Sequence, residues 1–209
     1  CDSLMASPNG DKLWDSFLAE AVGKGLKGKQ LHNAIPHRRM SATIYKNYPQ
    51  GKITVTDFLL GQYYLYEDAL NSQEWNIESD SMKVVLGHEC QKATCSFRGR
   101  KWTAWFALDV PVSDGPLKFC GLPGLIMEVY DRGKQYYFCI NGMQQVSATP
   151  ITFGILDKDF KHFQKTDRKD FLLSKYRYLR NQNSINEAST GISLGSVDEA
   201  LKYDLIERE

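Results

Sequence analysis

The hydrophobic period of the chain changes twice. From Asp11 to Val22, DKLWDSFLAEAV sets Leu13, Phe17 and Ala21 on one stripe with Trp14 and Leu18 beside it, which predicts a short amphipathic helix. Gly23, Gly25 and Gly28 then break that period in a loose basic connection, GKGLKGKQ, followed by Pro36 and His37-Arg38-Arg39. From Met40 to about Phe153 the pattern is β-type. Ile44, Tyr45 and Tyr48 precede the turn Pro49-Gln50-Gly51-Lys52, and Ile53-Thr54-Val55-Thr56 follow it, a hairpin pattern. Further strands are expected at 61–69, 73–78, 82–87, 88–98, 101–109, 124–131, 135–141 and 143–153. Their links are mostly tight, as at Gly99 and Arg132-Gly133-Lys134. Links that short hold no crossover helix, so neighbouring strands run antiparallel.

After Gly154 the period becomes helical again. DRKDFLLSKYRYLR, 167–180, places Phe171, Leu172, Lys175, Tyr176 and Leu179 at helical spacing behind Thr166 as the expected cap. NQNSINEASTG reads as a polar loop, and Ser196-Val197-Asp198-Glu199 as a capping box that opens a last short helix. The expected fold is therefore α+β and mainly β. An antiparallel β-meander forms a curved sheet or half-barrel, with a short N-terminal helix and one or two C-terminal helices. One domain spans 1–209: helix and basic loop to 39, meander over 40–153, helical segment from 154. No repeat or low-complexity tract interrupts it.

Composition changes this picture little. Hydrophobic residues at 42% and charged residues at 24% are ordinary for a globular chain, and aromatics at 12% lean towards β structure. A net charge of +1 supplies no general drive towards nucleic acid or anionic membrane. No apolar run reaches the roughly 18–20 residues of a spanning helix. Five cysteines (Cys1, Cys90, Cys95, Cys120, Cys139) include no CxxC and no Cys/His quartet with zinc spacing, so neither metal nor cofactor is expected. The odd count leaves at least one thiol unpaired or attached to something else. Cys1 admits two readings, a lipidated cysteine left by signal cleavage or the first residue of a fragment.

Three stretches invite a chemical reading. PLKFCGLPGLIMEVYD, 116–131, spaces Gly121 and Gly124 three apart, has no Lys-Ser/Thr, and runs into β-type residues. A phosphate loop needs a lysine-bearing motif opening a helix, so the glycines and Pro123 are read as a stiff corner that launches a strand. Its rim, Gly121, Leu122, Pro123 and Gly124, is a lesser ligand-facing candidate. Arg98-Gly99-Arg100 followed by Trp102 and Trp105 suits an anion or a stacked ring, against the plainer reading of a hairpin with solvated arginines. His88 and Cys90 share a strand face and Cys95 falls on the other, which gives two sure metal ligands at most and no Cys90–Cys95 bridge along a regular strand. Neither an HExxH helix nor a GxSxG elbow occurs, and no catalytic constellation is recognisable.

Gly121-Leu122-Pro123-Gly124-Leu125-Ile126 is the hexapeptide that names the GLPGLI family of bacterial proteins. The resemblance extends to Ile44–Pro49, Trp75–Glu78, Gly87–Ala93, Phe97–Phe106, Gly115–Phe119 and Lys202–Glu207, with Asp204-Leu205 where the family commonly has Asn-Pro. It covers roughly residues 40–207. The family is largely of unknown function, occurs in Gram-negative bacteria and is usually exported. The resemblance implies a periplasmic or envelope location, makes disulfides among the five cysteines possible without fixing a pairing, and favours a missing N-terminal strand over a lipidated Cys1. It assigns no catalytic residue.

The leading expectation is a non-enzymatic envelope binding protein holding a lipid, acyl chain or peptide on a concave sheet. Its motive is the surplus of Tyr, Trp and Phe along 45–106. Tentative ligand-binding residues are Arg98, Arg100, Trp102, Trp105, Gly121, Leu122, Pro123 and Gly124. The alternative is an interaction subunit of an outer-membrane protein complex, without a small ligand, docking through edge strands or these loops. A hydrolase using His88 or a thiol is the remaining rival.

Overall fold

A computed structural model describes residues 10–26, 30, 31, 34, 42–145, 147, 163–190 and 205–208. The chain separates into two compact units, one of residues 1–42 and 181–200, the other of 43–180 and 201–209. In the first, α1 (Gly10–Gly23) forms where the sequence predicts it, and Ala21 of its expected stripe is buried. Lys24 pairs with Glu20 across one exposed turn.

The second unit is mainly β, built from two open sheets. The first sheet has the order β1-β2-β3-β9, with β1 Thr43–Lys46, β2 Lys52–Leu59, β3 Gln62–Ala69 and β9 Phe163–Lys165. The second is a five-stranded meander, β4 Asn76–Val85, β5 His88–Phe97, β6 Arg100–Ala107, β7 Leu125–Asp131 and β8 Tyr137–Cys139. Within β1-β2-β3 and within β4 to β8 successive strands pair antiparallel, as the short links require everywhere but across the loop 108–124 between β6 and β7. β9 joins β3 in parallel, a long-range pairing that no local pattern announces. The β1–β2 hairpin turns where expected: the Asn47 side chain accepts the Gly51 amide at 2.8 Å and Lys52 donates to the Pro49 carbonyl at 3.0 Å.

Several expected elements differ. The segments 73–78 and 82–87 are one strand, β4, because a bulge between Glu78 and Met82 absorbs Ser79-Asp80-Ser81 without ending the ladder. Residues 143–145 are not a strand; most of the remainder of 143–153, and the helix expected from Ser196, lie outside the described residues. α2 (Arg168–Thr190) runs on through the segment expected to be a polar loop. Its cap is Asp167 rather than Thr166, since the Asp167 carboxylate accepts the Lys169 amide at 2.7 Å.

The inner face of the five-stranded sheet buries Ala93, Cys95, Phe97, Trp102, Ala104, Phe106, Ile126 and Val129 around Phe119 and Leu122. Both of the latter come from the loop between β6 and β7. The Phe119 ring meets Trp102 at 4.7 Å and Phe97 at 5.9 Å in edge-on contacts. The opposite face packs Val85, Cys90, Ala107 and Met127. Cys90 and Cys95 thus lie on opposite faces, as strand alternation requires. In the four-stranded sheet Ile53 and Val55 are almost wholly buried, and Phe171 of α2 packs against Tyr64 and Tyr66.

Candidate binding surfaces

The GLPGLI loop is a corner with three separate fixings. Gly121 adopts φ +90° and donates its amide to Ser113 at 3.1 Å. Leu122 is buried and Pro123 exposed. Gly124 passes so close to the end of β6 that a Cβ would lie 2.0 Å from the Ala107 carbonyl oxygen. Before the corner, the carbonyl of Lys118 accepts from Gln73 and that of Cys120 from the Trp75 indole, at 3.0 and 2.8 Å. Lys46 of β1 donates to the carbonyls of Gly115 and Phe119 and pairs with Asp114. The loop is thereby tied to both sheets.

A charge cluster lies behind it. Lys118, buried, pairs with Asp68 at 3.2 Å and Glu207 at 2.5 Å and donates to the Tyr66 hydroxyl at 3.3 Å. Arg98 binds Asp68 at 2.6 Å, and Arg168 binds Glu207 at 3.2 Å. Burial, then the nearby carboxylates of Glu207 and Asp68, push the Tyr66 hydroxyl well above its ordinary range. Arg100, also buried, reaches the Asp131 carboxylate at 2.9 Å, Gln135 at 3.0 Å, and the backbone carbonyls of Leu205 and Ile206 at 2.9 and 3.0 Å. Together these side chains clamp Leu205–Arg208 onto the β5–β6 turn, where Arg208 also donates its amide to the Arg98 carbonyl. The residues are charged, yet their partners are internal.

The sequence candidates thus separate. Trp102 and Leu122 sit in the core, and Arg98 and Arg100 serve the clamp. Trp105 is half-buried on the outer face beneath the Lys83 ammonium, 5.1 Å from its ring, and its buried indole N–H has no hydrogen-bond partner among the described residues. Sequence reasoning missed an open polar depression of about 520 Å³ at one end of the five-stranded sheet. It is lined by Gly99, Arg100, Lys101, Asp131, Arg132, Gly133, Gln135 and Arg208. Two turns that were read separately, Arg98-Gly99-Arg100 and Arg132-Gly133-Lys134, meet there because β6 and β7 pair Trp102 with Asp131. Sequence reasoning also missed the exposed apolar row of β4: Ile77, Met82 and Val84 are 41, 51 and 67% exposed.

His88 and Asp109 approach at 2.7 Å, Nδ1 to Oδ2. The neighbouring Cys90 thiol donates to the His88 carbonyl, and burial pushes its pKa up, which disfavours the thiolate that nucleophilic chemistry requires. Burial likewise raises Cys95, to about 12, and Cys120. Cys90, Cys95, Cys120 and Cys139 are all free thiols. Among the described residues no group of three or more His, Cys, Asp or Glu side chains is placed to hold a metal, and no helix is long and apolar enough to cross a membrane.

A family model described as "Protein of unknown function (Porph_ging)" matches residues 97–128, which run from the β5–β6 turn through the corner into β7. No curated protein matches the chain. Two crystal forms of PNGF-II are similar to it at 15 and 17% identity, with TM-scores of 0.39 and 0.37. The alignments cover 59 and 60% of this chain but only 22 and 23% of PNGF-II.

Proposed function

We propose that this is a non-enzymatic interaction protein of the Gram-negative cell envelope that takes up an extended strand of another envelope protein along β4. The observation that carries the reading is the edge itself. β4 ends the order of its sheet, so its outer backbone groups have no ladder partner among the described residues. By register Ile77, Met82 and Val84 share the face of Ala93, Gln91 and Glu89, and they present an apolar row beside that open ladder. Backbone pairing supplies affinity in such additions, and alternate side chains supply selectivity. The envelope location rests on the GLPGLI resemblance. The hydrophobic-carrier reading is weaker, because Phe119 and Leu122 fill the inner face that a lipid would need and Trp102 is consumed in the same core.

The test places a photo-crosslinking residue at Val84 or, as control, at exposed Glu67 of the other sheet, in cells that express the whole protein. A discrete heterologous product from position 84 alone, lost in Met82→Lys/Val84→Lys, is the expected result. Equal products from both positions sink the reading. A product of twice the chain mass replaces the partner strand by a second copy.

A further inference from the structure

From the depression at the β5–β6 and β7–β8 turns we infer a second, polar binding site, for a phosphorylated sugar-sized group. Four of its eight lining residues are cationic, Arg100, Lys101, Arg132 and Arg208, against a single carboxylate, Asp131. That carboxylate is already satisfied: one oxygen accepts from Arg100 and the other from the Tyr136 amide at 3.0 Å. The acid therefore does not neutralise Lys101 or Arg132. Lys101 and Arg132 are exposed, and neither side chain makes an ion pair among the described residues. The Arg132 amide, donating to the Lys101 carbonyl at 2.9 Å, holds their backbones side by side. An oxyanion between them meets a fork and a point charge, a combination suited to phosphate.

The volume and the lining decide what carries the anion. About 520 Å³ is far more than one oxyanion occupies and lies within the range of small-molecule sites. The lining contributes glycines, a glutamine and charged groups, with no aliphatic or aromatic side chain, so an acyl chain gains nothing there. A hydroxylated body finds partners in Gln135 and in the open backbone at Gly99 and Gly133. The site lies apart from β4, so the two readings stand or fall separately.

The probes are glucose 6-phosphate, glucose, inorganic phosphate, and phosphatidylcholine vesicles with and without phosphatidic acid. Amide chemical shifts of Gly99 and Gly133 and titration calorimetry on the whole protein report binding. Glucose 6-phosphate is expected to shift both amides and to bind more tightly than inorganic phosphate, with glucose inert. Affinity falls roughly tenfold for each of Lys101→Gln and Arg132→Gln, as loss of a charged hydrogen bond predicts, and falls again as salt is raised. Both residues are exposed, so the variants keep the wild-type midpoint of unfolding. Binding to phosphatidic acid vesicles but to no soluble probe assigns the site to a lipid headgroup and overturns the sugar. Undisturbed amides with every probe, or equal affinity in the double variant, overturn the site.

Discussion

Gly124→Ala tests whether the hexapeptide is a structural corner. The added Cβ would stand 2.0 Å from the Ala107 oxygen, 2.7 Å from its carbonyl carbon and 3.2 Å from the Leu108 Cα. Carbon–oxygen contacts settle near about 3.3 Å, so relief requires a displacement of more than about 1 Å. The obstacle is backbone and cannot rotate away. Displacement strains the Ala107–Leu125 pair and the Leu125 amide bond to the Val110 carbonyl, and it draws Leu122 and Ile126 from the core. The cost is about 3–5 kcal/mol, above the about 1–3 kcal/mol usual for overpacking because the obstacle is backbone. Gly121→Ala is the matched control. Its Cβ would meet only the Asn71 side chain, at an ordinary 3.5 Å, so it carries just the left-handed backbone penalty at φ +90°, about 1–2 kcal/mol. Urea unfolding followed by tryptophan emission separates them, since Trp75 and Trp102 both border Phe119. With a slope of about 2 kcal/mol per molar, Gly124→Ala lowers the midpoint by about 1.5–2.5 M and Gly121→Ala by about 0.5–1 M. A shift for Gly124→Ala no larger than for Gly121→Ala, at unchanged slope, refutes the corner.

Arg100→Leu removes the donor from one oxygen of the Asp131 carboxylate and from the Leu205 and Ile206 carbonyls, and costs about 3–5 kcal/mol. Arg100→Lys restores the charge but not the fork, and calorimetric melting should recover less than half of that loss. Stability should also fall in alkali. Below about pH 8.5 the Cys95 thiol is protonated folded and unfolded alike; above it the unfolded chain ionises first, while burial holds the folded thiol protonated up to about 12. The unfolded state then binds fewer protons, so stability declines across that interval by up to about 1.4 kcal/mol per pH unit for this group. Cys95→Ala should make the decline in urea midpoint between pH 9 and 11 shallower, and an unchanged slope contradicts the assignment.

The legible parts of this chain were those with local causes. Period and punctuation located α1, the β1–β2 hairpin and most of the meander, because Asn47, Gly51, Gly61 and Gly99 adopt the positive φ that tight links need. Ser79-Asp80-Ser81 looked like a break because bulge and turn use the same residues, and only the paired strand distinguishes them. The second half of α2 lacks an apolar stripe, and no Pro or Gly stops it before Gly191. The charged clamp was invisible for a different reason. Lys118, Arg168 and Glu207 read as surface residues until partners at least 39 positions away bring counter-charge to the same place. The depression needed the same long-range knowledge, the order of β6 and β7.

The clamp also has a consequence in time. Arg100 takes two of its acceptors from carbonyls 105 and 106 positions later in the chain. At synthesis rates of roughly 5–20 residues per second, the meander is made several seconds before Leu205 and Ile206 exist. During that interval the β5–β6 turn holds an arginine whose acceptors are incomplete, and Lys118 still lacks Glu207. Leu205, Ile206 and Glu207 are therefore the keystone of the clamp, which closes only after translation has delivered them.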